Sequence, residues 1–196
     1  MAATNIAVIN QSLIKVGGQV ITALTDGTTE SKVASILYED YVRGQLGLVR
    51  WNWGKTQFSL NQSSATPLEG WDYGYDIPSD LLILHRVTAG DNDISFERFK
   101  DKIFTNEDND ADDVVSHYTY RVSEIDWPAD FTLAVVTGLA ADFALSLARD
   151  AELSVTMEQK ATVLFAQARR NDAQGQTSKV LKMKRITGSR LASSGR

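Results

Sequence analysis

The sequence predicts an α+β fold: an antiparallel helical bundle of about four helices, an inserted small antiparallel β meander, and an extended C-terminal arm. Three observations lead there. Apolar residues recur at three- and four-residue steps in residues 1–50 and again in 126–175, the pattern of amphipathic helices. Residues 51–125 lose that period, first in an aromatic-rich extended segment and then in short alternating runs separated by turn residues. Finally, Asp172 is the last acidic residue, and residues 176–196 carry only positive charge.

Ile6, Ile9, Leu13 and Val16 form one stripe, so a helix is expected over 4–16, with Gly17-Gly18 supplying its stop. After the turn-prone Asp26-Gly27-Thr28-Thr29, the residues Val33, Ile36, Leu37, Tyr41 and Leu48 mark a second helix over 29–49, and Glu30 favours the positive end of its dipole. A short loop between two such helices implies antiparallel packing. Trp51, Trp53, Phe58, Trp71, Tyr73 and Tyr75 then lie among Gly, Asn, Gln and Ser, which reads as extended chain laid over the core, turning at Ile77-Pro78-Ser79-Asp80. Strands are expected over 81–88, 94–99, 103–105 and 114–122, with turns at 91–93 and 101–102. Asp126-Trp127-Pro128 resembles a helix entry. The helix over 128–150 is apolar nearly all round and belongs at the centre of the bundle; Gly138, near Ala140, Ala141 and Ala144, lets a neighbour approach closely. Thr156 with Gln159 reads as the capping box of a last helix over 156–174, closed by Gly175.

With 196 residues, 43% of them hydrophobic, the chain can bury a substantial core. It has no Cys, which excludes disulfides, Cys-ligated zinc and thiol catalysis together. No charged n-region precedes an apolar run near Met1, and the most apolar uncharged stretch, Phe131 to Ala141, is eleven residues where a spanning helix needs about 20, so no membrane association is expected. The net charge of −5 conceals a division. All 25 acidic residues and 14 of the 20 basic ones lie in residues 1–175, a net of −11, while Lys179, Lys182, Lys184, Arg185, Arg190 and Arg196 give the arm +6.

Motifs that carry chemistry are weak. Gly54-Lys55-Thr56 matches the end of a phosphate-binding loop, but Val49 stands where its leading glycine belongs and a helix precedes it, so coincidence is the reading. Asp108, Asp110 and Asp112 are spaced like calcium-loop ligands, yet Asp113 and Thr119 occupy the positions of the required Gly and Glu; a solvated loop is favoured over weak cation binding. His85 and His117 stand singly on expected strands and read as structural or surface residues. No nucleophile motif is present, and no carboxylate pair stands out among so many. No enzyme, cofactor or metal site is expected. The arm is the most informative local feature: Val180, Leu181, Met183, Ile186 and Leu191 are set among Lys179, Lys182, Lys184, Arg185 and Arg190, which fits either a solvated terminus or an arm that orders on a protein groove or on nucleic acid.

The order of several segments resembles the tail tubular protein A, or head-to-tail adaptor, family of short-tailed bacteriophages. The segments are Ile9-Asn10-Gln11-Ser12-Leu13-Ile14-Lys15-Val16-Gly17 with Ile21-Thr22-Ala23-Leu24; Arg50-Trp51-Asn52-Trp53; Tyr73-Gly74-Tyr75-Asp76-Ile77-Pro78-Ser79-Asp80; and Tyr118-Thr119-Tyr120-Arg121-Val122, followed by Phe131 and Leu139-Ala140-Ala141-Asp142-Phe143-Ala144. Together they cover about residues 5–175. The resemblance implies a virion protein of the head–tail junction, assembled in the host bacterial cytoplasm: a homo-oligomeric ring, commonly of twelve, between the portal protein and the tail nozzle protein, with double-stranded DNA passing through it. On that basis the arm is expected to dock on a partner, and Asp91, Asn92, Asp93, Glu107, Asp108, Asp110, Asp112 and Asp113 are expected on a rim facing the nozzle. An acidic lumen would keep DNA phosphates from adhering. The other reading is a nucleic-acid-binding accessory protein that uses the basic tail.

Overall fold

Thr4 accepts a hydrogen bond from the Ala7 amide at 3.2 Å and so opens helix α1, Asn5–Lys15. Gly17, at φ +74°, closes it: the Gly18 amide returns to the Leu13 carbonyl at 2.9 Å and that of Gly17 to the Ile14 carbonyl at 3.2 Å. The computed structural model describes residues 4–64, 67, 70–90, 92–109 and 113–175, and the expected arm, 176–196, lies outside them. Thr28 caps α2, Thr29–Leu48, by accepting from the Ser31 amide. Helix α3, Ala129–Phe143, runs on through one wider π turn, Ala144–Ala148. Arg149 then takes a left-handed conformation, and α4, Ala151–Gln174, follows at once.

That last helix starts earlier than the expected 156. Asp150 accepts from the Leu153 amide at 2.9 Å and caps it, and the left-handed Arg149 makes the reversal in a single residue, so Thr156 falls inside the helix. The uncharged eleven lie between Asp130 and Asp142 in a longer run, Ala129–Ala148, which at 20 residues is long and apolar enough, by length and composition, to cross a membrane. Most of its apolar surface is spent on the protein interior, with 61% of its most apolar window buried.

Among the described residues seven strands occupy the middle: β1 Lys55–Ser59, β2 Tyr73–Asp76, β3 Leu81–Ala89, β4 Asn92–Asp93, β5 Glu97–Phe99, β6 Lys102–Thr105 and β7 Val114–Tyr120. They form two antiparallel sheets, ordered β1-β7-β3-β4 and β2-β6-β5, in place of one meander. Of the expected strand 94–99 only Glu97–Phe99 is strand, paired with β6, while Asn92 and Asp93, expected in a turn, pair with β3 as β4. Between them Ile94 and Phe96 pack against a small core of Leu60, Tyr75, Val87, Ile103 and Val114. The expected extended stretch 51–80 likewise contributes β1 and β2. The larger core lies in the bundle, where α3 packs against α1, α2 and α4. The fold is therefore α+β, with four helices and two small antiparallel sheets.

Gly138 is where α3 admits its neighbours. A Cβ there would stand 3.4 Å from the Ala161 Cβ of α4 but 1.7 Å from the Tyr41 hydroxyl of α2 and 2.8 Å from its Cζ. Alanine gains about 1 kcal/mol of helix propensity, yet it must drive the Tyr41 ring out of its seat. The expected net effect of Gly138→Ala is a loss of about 1–3 kcal/mol. In a Tyr41→Ala background the same substitution becomes neutral or stabilising; thermal denaturation of the four variants checks both results.

Candidate interaction surfaces

The segments that carry the resemblance turn out to be joints of the fold. Asn10 clamps the backbone of Ile21 from both sides, donating to its carbonyl and accepting from its amide, each at 2.8 Å, which fixes the segment after the glycine break against α1. Trp51 is buried and donates to the Gln45 carbonyl, while Asn52 holds the end of α4: its amide reaches the Asp172 carboxylate at 2.9 Å and its side chain the Asp172 carbonyl at 3.0 Å. Trp51, Trp53, Trp127 and Phe165 all meet the ring of Phe131. Tyr75 is fully buried, and its hydroxyl donates to the Glu107 carbonyl at 2.8 Å.

Of the expected rim residues, Asn92, Asp93, Glu107 and Asp113 are exposed and Asp108 is half-buried; Asp91, Asp110 and Asp112 lie outside the described residues. Asn92 and Asp93 form β4, at the edge of the four-stranded sheet, whereas Glu107 and Asp108 follow β6 of the other sheet. Asn109, which the sequence reading passed over among its acidic neighbours, ties that loop down by donating to the Leu60 carbonyl at 2.9 Å and accepting from the Val114 amide at 2.8 Å. Among the described residues, no group of three His, Asp or Glu side chains is placed to hold a metal ion.

The two histidines share a surface that sequence spacing does not show. On β7, His117 and Thr119 point to one face; His117 is opposite Gln57 of β1 and Arg86 of β3, and Thr119 is opposite Lys55 of β1. A register shift between Leu84 and Arg86 brings His85 onto the same face, where its Nε2 lies 2.8 Å from the Thr119 hydroxyl. The Nε2 of His117 lies 3.1 Å from the Thr88 hydroxyl. These residues, with Arg50 and Thr56, line an open groove of about 720 Å³. Burial, and then the positive charge of Arg50, Lys55 and His117, holds His85 below the usual imidazole range. Lys55 and Thr56 open a strand here and no helix follows them, so the partial phosphate-loop motif lacks its loop-to-helix geometry. The signal available in the sequence was the common phase of His117 and Thr119, which becomes legible only once β1 and β3 are known to flank them.

A second surface is apolar. A groove of about 660 Å³ between α1, α3 and α4 is lined by Leu133, Met157, Val163 and Leu164, with Lys15 and Lys160 at its edge. Burial, and then Lys160, lowers the pKa of Lys15, which donates to the Thr137 hydroxyl at 2.6 Å. Across the bundle Ile14, Ile36, Leu48, Leu133, Leu145 and Val163 are 49–69% exposed. No protein-family model matches the chain, and comparison with curated proteins gives no match.

Proposed function

We propose that the chain is a structural adaptor of a short-tailed phage: one subunit of a homo-oligomeric ring between the portal protein and the tail nozzle protein, through which the genome passes. The observation that carries this reading is the exposed apolar surface present on every helix of the bundle, Ile14 on α1, Ile36 and Leu48 on α2, Leu133 on α3 and Val163 on α4. Contiguous exposed apolar surface marks an interaction site, and Leu133 and Val163 join Met157 and Leu164 in one apolar groove. A ring assembled head to tail needs two different contact patches on each subunit, and apolar residues spread over all four helices can supply them. The order of the fold-holding segments, from Asn10 to the Phe131 cluster, adds the family resemblance, and the basic, partly apolar arm is assigned to attachment at the portal.

The second reading, an accessory protein whose tail grips nucleic acid, draws on the +6 charge of residues 176–196. Deleting that segment separates the two. Under the adaptor reading the shortened chain keeps its circular dichroism and melting temperature, since the buried core of the described residues runs from Val8 to Ala168, but it no longer co-purifies with the portal. If the deletion leaves portal attachment intact and instead removes salt-sensitive affinity for duplex DNA, the second reading replaces the first.

A further inference from the structure

The groove between β1, β7 and β3 is a local reversal of the body's charge. Residues 1–175 carry a net of −11, yet among the described residues the groove's lining holds Arg50, Lys55 and Arg86 with both histidines of the chain and no carboxylate. Its cations are only lightly compensated. Lys55 donates to the neutral Asn52 side chain at 2.6 Å, Arg86 meets Asp93 at 3.2 Å in a pair exposed to solvent, and Arg50 has no hydrogen-bond or ion-pair partner among the described residues. Solvent-exposed pairs of this kind contribute little, so the site keeps a strong preference for an anion.

The lining also distinguishes between anions. None of its seven residues is apolar, whereas the centre of a protein interface is typically apolar and depleted in charge. None is Phe, Tyr or Trp, the broad rings on which successive unpaired bases stack, and both histidine rings are engaged with threonine hydroxyls of the sheet. Arginine and lysine flanked by Thr56 and Gln57, on an open sheet face, have the chemistry of sequence-independent contact with phosphate. We infer that this groove binds the phosphodiester backbone of duplex nucleic acid, separately from the basic arm and independently of whether the chain forms a ring.

Contact is expected to be weak and local, because the acidic surface around the groove repels the rest of the duplex. The test is fluorescence anisotropy with a labelled random-sequence duplex, titrated with the full chain over a range of salt concentrations. Arg50→Glu/Lys55→Glu is compared with Lys32→Glu/Arg98→Glu, which changes net charge equally at exposed positions elsewhere; circular dichroism confirms that both variants are folded. The groove variant is expected to bind at least about tenfold more weakly, with the slope of log affinity against log salt reduced by about 2. The control variant should stay within about twofold of the parent. Equal losses in the two variants, or no loss in the groove variant, would overturn the inference, as would failure of the parent chain to bind at low salt. Tighter binding of charge-matched polyglutamate, abolished by the groove substitutions, would also overturn it and assign the groove to an acidic polypeptide.

Discussion

Truncating Phe131 to alanine is expected to cost about 3–5 kcal/mol of unfolding free energy, the largest effect of any single truncation in the bundle. Phe131 is fully buried in the first turn of α3, and four other rings converge on it: Trp53 at 4.8 Å, Trp51 at 5.0 Å, Trp127 at 5.2 Å and Phe165 at 6.0 Å between centroids. Those rings come from the segment after α2, the entry to α3 and the body of α4, so one side chain joins pieces far apart in sequence. Edge-to-face pairs add about 0.5–1.5 kcal/mol each beyond their buried area. The rings around the vacated space are themselves fixed, Trp51 by the Gln45 carbonyl and Trp127 by the Val122 carbonyl, both at 3.1 Å, which limits collapse into the cavity. Urea denaturation should show a lower midpoint with an unchanged slope. A loss below about 1 kcal/mol would show that Phe131 is not the hub of the bundle.

Arg121→Met should rank next, at about 2–3 kcal/mol, because it strands a partly buried carboxylate. Arg121 follows β7 directly and ties the sheet to the bundle. It donates to Glu124 at 2.6 Å and to Glu39 of α2 at 3.0 Å, and its guanidinium lies 5.7 Å from the centre of the Trp127 ring. Glu124 is 14% exposed and also accepts from the Tyr38 hydroxyl at 2.7 Å, whereas Glu39 is 48% exposed and its pair contributes little. Burial raises the pKa of Tyr38, reinforced by the neighbouring Glu124. For Glu124, burial pushes the carboxyl upward, but the bonds from Arg121 and Tyr38 overcome it and hold the group below its ordinary range.

The pH dependence follows from that direction. A carboxylate whose folded pKa is depressed contributes stability that is fully present above its unfolded value, about 4.3, and is lost as pH falls through the folded value. The parent chain should therefore lose stability in acid through this group. In Arg121→Met, Glu124 has lost its cation, so the gap between variant and parent should narrow as pH drops from 7 toward 4. Melting temperatures at the two pH values check this. Combining Arg121→Met with Glu124→Leu should recover much of the loss, since a buried pair replaced by apolar groups is often close to neutral.

The bundle was legible because its helices are long and their caps are local. Thr28 and the glycine pair at 17–18 act within a few residues, and the stripes they bound need no distant partner to be recognised. The start of α4 was not legible, because the decisive event is the left-handed turn at Arg149 and nothing in its side chain announces it. β1 was missed for a different reason. Its side chains are mostly exposed, and the strand exists because β7 offers it a pairing edge. The acidic body, and the exposure of Asn92, Asp93, Glu107 and Asp113, could be read from composition. The groove could not, since Arg50, Lys55, His85, Arg86 and His117 become neighbours only through the pairing of β1 and β3 with β7 and the register shift before Arg86. The resembling segments were readable as a pattern, but their roles were not: Asn10 and Asn52 act as backbone clamps that only tertiary contacts reveal.

Native mass spectrometry of the full chain, alone and mixed with the portal protein of a short-tailed phage, tests the proposed adaptor role most directly. The account predicts a portal complex carrying many copies of the chain, up to about one per portal subunit in a closed ring. A chain that remains monomeric beside an intact portal ring, at concentrations where the portal itself is fully assembled, would contradict it.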